Sequence, residues 1–228
     1  MAPALVQTGS SSSNNSASVP MTFGSNVTAG SMLFVAAWIR SATALVEIRD
    51  SLNNPWTCLG YQLEPGNGRR SAAWYAPNVA GGATTLTCVT QGGVASDFCA
   101  AEYSGISSVS PLDTWAMQGT AGTSALTPTI TTTVPNAAIL AWVVTFDSAS
   151  SVASPFTMRA NGVFDFDSNG FADQIVSATG SYQATFTTSG TGNVVTGIAA
   201  FADSPVSGPR TSRRLIKKTY AAGFAGPF

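Results

Sequence analysis

Apolar and polar residues alternate along this chain in short runs separated by Gly, Pro, Asn and Ser. Val19, Met21 and Phe23 alternate with polar neighbours, as a half-buried strand does. The run from Asn193 to Phe201 would close the core. Ser31 to Arg40, through Met32 to Trp38, and Ala138 to Asp147 are apolar on both alternating faces, and Phe98-Cys99-Ala100-Ala101 has small residues on both. Such strands are covered on two sides. Leu45 to Asp50 alternates, SLNNP is a strong turn, and Trp56 to Leu63 resumes the pattern, which predicts a hairpin. Further strands are predicted over Ser71–Tyr75, Thr84–Thr90, Thr129–Val134, Asp173–Ala178 and Tyr182–Thr188. Ala4 to Gln7 reads as a short edge strand, Gly9 to Ser18 as a flexible connection, and Ser107 to Pro128 as a long irregular crossing between sheets. No window keeps apolar spacings of three and four, so no substantial helix is expected, and no repeat of fixed period is evident. About a dozen short strands predict an all-β, two-sheet antiparallel sandwich, jelly-roll-like, over residues 1–205. An extended tail, 206–228, follows it.

Composition narrows the class. The chain has 228 residues and 44% apolar content, enough to bury a core. Only 9% of residues are charged, so hydroxyls and backbone must make up much of the surface. The longest apolar runs fall far short of a membrane helix, and no signal for secretion is visible at the start. Cys58, Cys88 and Cys99 each lie in an apolar run, which predicts buried reduced thiols, with a Cys88–Cys99 hairpin bridge as the alternative.

Charge sets the end of the chain apart. All acidic residues precede Pro205, whereas Arg210, Arg213, Arg214, Lys217 and Lys218 follow it, interleaved with Leu215, Ile216, Tyr220, Phe224 and Phe228. An exposed segment of that kind is expected to dock on a partner. Its large apolar groups and the acidic body favour a protein partner over nucleic acid.

The sequence contains no histidine. That removes His-based triads and His-ligated zinc, and no phosphate loop is present. Glu102 and Asp113 could be imagined as a glycosidase-like acid pair, but the reading preferred is that Glu102 accepts hydrogen bonds from nearby backbone or Arg and Asp113 caps a turn. Asp165, Asp167, Asn169 and Gly170 match the first half of an EF-hand loop, with Asp173 at its ninth position. Val176 stands where the bidentate Glu belongs, so a weak calcium site competes with an Asn-Gly hairpin turn bearing solvated acids. Trp56, Trp74, Tyr75 and Trp115 are candidates for stacking on a sugar, with Trp38 and Trp142 assigned to the core. No cofactor and no catalytic residue is assigned.

The segments TAGSMLFVAAW, IRDSLNNPWTCLG, SAAWYAPNVAGGATTLTCV, FCAAEYSGI with SPLD, FADQIVSATGSYQATF and GIAAF resemble a β-sandwich family of phage and bacterial surface proteins. The resemblance spans roughly residues 3–203 and leaves out the basic tail. It implies a virion location: a capsid decoration, head spike, or tail or fibre module without enzymatic activity. The expected partners are other virion proteins and further copies of the chain, without a membrane. A carbohydrate-binding host-attachment module is the alternative.

Overall fold

The computed structural model describes residues 1–204 apart from 67, 123, 146–148, 165, 166 and 191, and gives only the backbone of residues 150, 162–164, 167 and 168. The first half contains β1 (Ala4–Ser13), β2 (Ser18–Thr22), β3 (Met32–Ile39), β4 (Val46–Asp50), β5 (Thr57–Leu63), β6 (Arg70–Ala76), β7 (Thr85–Thr90) and β8 (Ser96–Ser104). One antiparallel sheet has the order β1-β8-β3-β6-β5 and a second the order β2-β7-β4. First strand lies beside last, second beside seventh and third beside sixth. This is a long hairpin rolled on itself, the jelly-roll plan.

The second half repeats it. Its strands are β9 (Leu112–Thr120), β10 (Ile130–Thr131), β11 (Ala137–Thr145), β12 (Ala149–Val152), β13 (Thr157–Phe164), β14 (Asp167–Val176), β15 (Ser181–Tyr182), β16 (Phe186–Thr188) and β17 (Val194–Ala202). The large sheet runs β9-β17-β11-β14-β13, and the pairs β10-β15 and β12-β16 stand where β2-β7-β4 stands in the first half.

The correspondence extends to irregularities. In β1, Val6 is an extra residue between Leu5 and Gln7, and in β9 Asp113 is an extra residue between Leu112 and Thr114. Leu59 bulges between Cys58 and Gly60 opposite β6, as Arg159 does between Met158 and Ala160 opposite β14. Ser51 N–H donates to Thr85 O at 3.0 Å, and its counterpart Ala153 N–H donates to Thr185 O at 2.8 Å. Pro55-Trp56-Thr57 and Pro155-Phe156-Thr157 enter the matching strands. The offset shrinks from 107 residues at Leu5/Leu112 to 98 at Ala101/Ala199. A search for a fixed period therefore misses a doubled plan.

The two large sheets pack face to face. Phe34, Trp38, Ala101 and Tyr103 from one meet Leu140, Trp142, Phe171 and Phe201 from the other. The outer face of the first sheet (Leu33, Val35, Trp74, Phe98) is covered by Met21, Ile48 and Leu86 of the β2-β7-β4 sheet. The outer face of the second (Ile139, Val143, Ile198) is covered by Ile130, Phe156 and Phe186. The sandwich is thus the middle of a four-layer stack, which is why β3, β8, β11 and β17 are apolar on both faces. An approximate twofold relates the halves. β1 lies against β13 while its counterpart β9 lies against β5, the counterpart of β13.

Three local expectations are corrected. The Ser-rich run is not a flexible connection, because Ser10 to Ser13 pair with Cys99 to Ser96 within β1. Its hydroxyls are tolerated because β1 is an edge strand, open to water on one side. Leu45–Asp50 and Trp56–Leu63 do not form a hairpin: β4 pairs with β7 and β5 with β6, and SLNNP carries the chain from one sheet to the other. The region read as an irregular crossing holds β9, a nine-residue strand pairing with β17. Partial burial at every position but the exposed Trp115 hides any clean alternation.

Candidate functional site

The turn that crosses between sheets also builds a cleft. β4 is the edge of the small sheet and β5 the edge of the large one, so their open sides face across a gap. The gap is a cleft of about 510 Å³, within the range of small-molecule sites. Trp56, Tyr61 and Trp74 form its aromatic wall, and Asn53, Glu47 and Arg49 are polar groups along it.

Asp50 organises the site. It is buried, and its Oδ1 accepts the Leu52 N–H at 2.8 Å, the Asn54 N–H at 3.3 Å and the Asn54 side-chain amide at 3.1 Å. Its Oδ2 accepts the Trp56 indole N–H at 2.7 Å, which fixes the plane of that ring. Asn54 Oδ1 in turn accepts the Ala80 N–H at 2.8 Å. Tyr61 is 46% exposed, yet its hydroxyl donates to Val46 O at 3.1 Å and its ring meets Trp74 edge-on with centroids 5.9 Å apart. The Arg70 guanidinium carbon lies 4.3 Å from the Tyr61 ring centroid. Burial pushes the Tyr61 hydroxyl above its ordinary range. Glu47 and Arg49 pair at 2.7 Å, and that hydrogen bond holds the exposed carboxyl below the usual range.

The aromatic candidates divide. Trp56 and Trp74 share the cleft, with Trp74 nearly buried. Tyr75 turns the other way and packs on Phe201 at 5.3 Å. Trp115, on β9, lies over Gly60 of β5, where a Cβ would come within 2.8 Å of its ring. Trp38 and Trp142 are core residues. Asp50, Asn53, Asn54 and Tyr61 were not singled out from sequence. Their signal was the spacing Asp50, Asn54, Trp56 inside a segment read as a simple hairpin turn.

Glu102 and Asp113 have separate partners. Glu102 is fully buried, accepting the Gln7 amide at 2.6 Å and the Thr28 N–H at 2.8 Å. Asp113, on the other sheet, accepts the Thr133 N–H at 2.8 Å and the Thr133 hydroxyl. These are the hydrogen-bonded and turn-capping roles expected of them.

Of the calcium candidates, Asp165 lies outside the described residues, and Asp167 opens β14. Asn169 and Gly170 do not form a turn, because they pair with Gly162 and Asn161 inside the β13–β14 ladder. Asn169 is buried and donates to Ala36 O at 3.0 Å. Asp173 is buried between Arg159 and Tyr103. Among the described residues no three His, Cys, Asp or Glu side chains are grouped to hold a metal.

Cys88 and Cys99 are buried free thiols, on strands of different sheets rather than on one hairpin. Cys58 is exposed, against expectation, because β5 is an edge strand. The tail candidates Arg210, Arg213, Arg214, Leu215, Ile216, Lys217, Lys218, Tyr220, Phe224 and Phe228 all lie outside the described residues. No helix among the described residues is long and apolar enough to cross a membrane. No protein-family model, no curated protein and no solved structure matches the chain.

Proposed function

We propose that the chain is a non-enzymatic structural protein of a bacteriophage virion. It sits on the outside of the particle as a capsid decoration or another head or tail accessory, anchored through the tail from about Ser207 to Phe228. The observation that carries the reading is the split of charge between body and tail: −6 over residues 1–205 and +5 beyond, with every lysine in the tail. Ser204 supports it by position. Its N–H donates to Gly105 O at 2.8 Å and its carbonyl accepts from the Met1 amino group at 3.1 Å, so the residue at which the body ends lies beside the start of β1. Basic groups would meet acidic surface on a neighbouring virion protein while Leu215, Ile216, Tyr220, Phe224 and Phe228 fill its pockets, and copies would associate about a symmetry axis.

The test is co-sedimentation of the full chain with particles lacking it. Replacing Arg213, Arg214, Lys217 and Lys218 by Glu should abolish binding and leave the far-ultraviolet circular dichroism of the body unchanged. Undiminished binding by that variant would sink the anchoring role.

A second reading is a carbohydrate-binding host-attachment module. The aromatic cleft between β4 and β5 favours it.

A further inference from the structure

We propose that the β4–β5 cleft binds a short, neutral oligosaccharide of gluco-configured pyranose units, and that this site belongs to the N-terminal half alone. The inference rests on the second reading above and gives it a place and a chemistry.

A pyranose with equatorial hydroxyls has two flat faces of C–H groups and a rim of donors and acceptors. It needs an apolar plane to lie on and polar groups around the edge. Tyr61 and Trp56 supply the planes, and both are fixed before any ligand arrives, one through Val46 O and the other through Asp50 Oδ2. Preorganised rings cost little entropy on binding. Asn53 and the Glu47–Arg49 pair supply the edge. Glu47 and Asp50 along the cleft balance Arg49 and the Arg70 guanidinium on one face of Tyr61, which leaves no excess of positive charge to recruit a phosphate or uronate.

The second half serves as an internal comparison. Matching the two ladders places Val152 at the position of Asp50, since Asp50 pairs with Leu86 and Val152 with Phe186. It places Asn161 at the position of Tyr61 and Ala172 at that of Trp74. Trp56 alone keeps an aromatic counterpart, Phe156, and that ring is buried in the core. The same frame is therefore built without the carboxylate clamp, the exposed tyrosine or the second tryptophan. Trp74 also packs in the core and Asp50 also ties the turn, but the 46% exposed Tyr61 ring is not demanded by packing, whereas a ligand that stacks would use it.

The test titrates the full chain with cellotetraose, chitotetraose and maltotetraose, followed by tryptophan fluorescence and calorimetry, with trigalacturonate as the anionic comparison. Saturable binding of at least one neutral probe is expected, weakened about tenfold or more by Tyr61→Ala. Asn161→Ala, at the matching position of the other half, and Trp115→Ala should leave it unchanged. Should Tyr61→Ala fail to fold, Asn53→Gly decides, since glycine accepts the φ of 56° there while the amide is lost. The site is overturned if none of the three neutral probes saturates by about 10 mM. It is equally overturned if trigalacturonate binds in their place, or if the folded cleft variant binds as the parent does. Particle co-sedimentation is scored separately, so loss of the saccharide site with particle binding intact removes this inference and leaves the virion reading standing.

Discussion

Tyr103 donates its hydroxyl hydrogen to Asp173 Oδ2 at 2.7 Å, joining β8 of one large sheet to β14 of the other. The twofold mate of this pair is Phe201 with Tyr75, an aromatic contact at 5.3 Å. One interface position is thus met by a charge-assisted hydrogen bond on one side of the axis and by ring packing on the other. Arg159 Nε completes the polar version, donating to Asp173 Oδ1 at 2.6 Å.

Tyr103→Phe removes the donor while leaving the buried carboxylate in place. The expected cost is about 1–3 kcal/mol, read as a lower urea midpoint with an unchanged slope. The pH dependence adds a second signature. Burial, followed by the neighbouring Asp173 charge, raises the Tyr103 hydroxyl well above its ordinary value. The folded chain then holds a proton that the unfolded chain gives up near pH 10. This contribution is intact below about pH 10 and is lost as pH climbs beyond it, and Tyr103→Phe should flatten that alkaline decline.

Gly197 of β17 lies directly under the Trp142 ring, where a Cβ would overlap the indole. Gly197→Ala should destabilise by about 1–3 kcal/mol through overpacking. The matching positions in the first half are Ala36 and Cys99, a small residue facing a medium one. Gly197→Cys combined with Trp142→Ala copies that arrangement and should cost less than the sum of the single changes, measured by a double-mutant cycle.

The thiols separate by location. Cys58 is exposed, whereas burial pushes the Cys88 thiol up to about 12 and Cys99 is sealed between the large sheets. Native protein treated with an aromatic disulfide at mild alkaline pH should release one equivalent, from Cys58, and Cys58→Ser should release none. All three thiols should react in denaturant.

Asp50→Ala should loosen the turn that shapes the cleft. Three donors to one carboxylate oxygen and the Trp56 indole on the other would lose their acceptor. A stability loss of about 2–3 kcal/mol is expected, with a red shift of tryptophan emission as Trp56 is released.

Much of the architecture was legible because burial on two faces writes itself into composition. β3 and β11 could be read from unbroken apolar runs and β17 from the NVVTGIAAF segment, and the all-β class followed from about a dozen short strands with glycine-rich turns. Partnership was not legible. Val46-Glu47-Ile48 and Tyr61-Gln62-Leu63 alternate as any two hairpin arms would, and only the distant strands β7 and β6 decide that they belong to different sheets. The cleft was lost with that misreading, since its walls are those two edges. The doubling was hidden for another reason: equivalent positions keep burial and register but not identity, as Asp173 opposite Tyr75 and Ala172 opposite Trp74 illustrate.

The order of the two halves along the chain matters while the protein is being made. By Ser104 every strand of the first roll has its neighbours, because β1 can close on β8 without anything from the second half. The face carrying Met32, Phe34, Trp38 and Tyr103 has no cover until β11, β14 and β17 emerge. A nascent chain of this kind carries a folded but sticky intermediate, and two ribosomes translating it side by side offer each other the surface that the second half is meant to fill. Released chains that stop at residue 106 should pair or aggregate, whereas full-length chains should not.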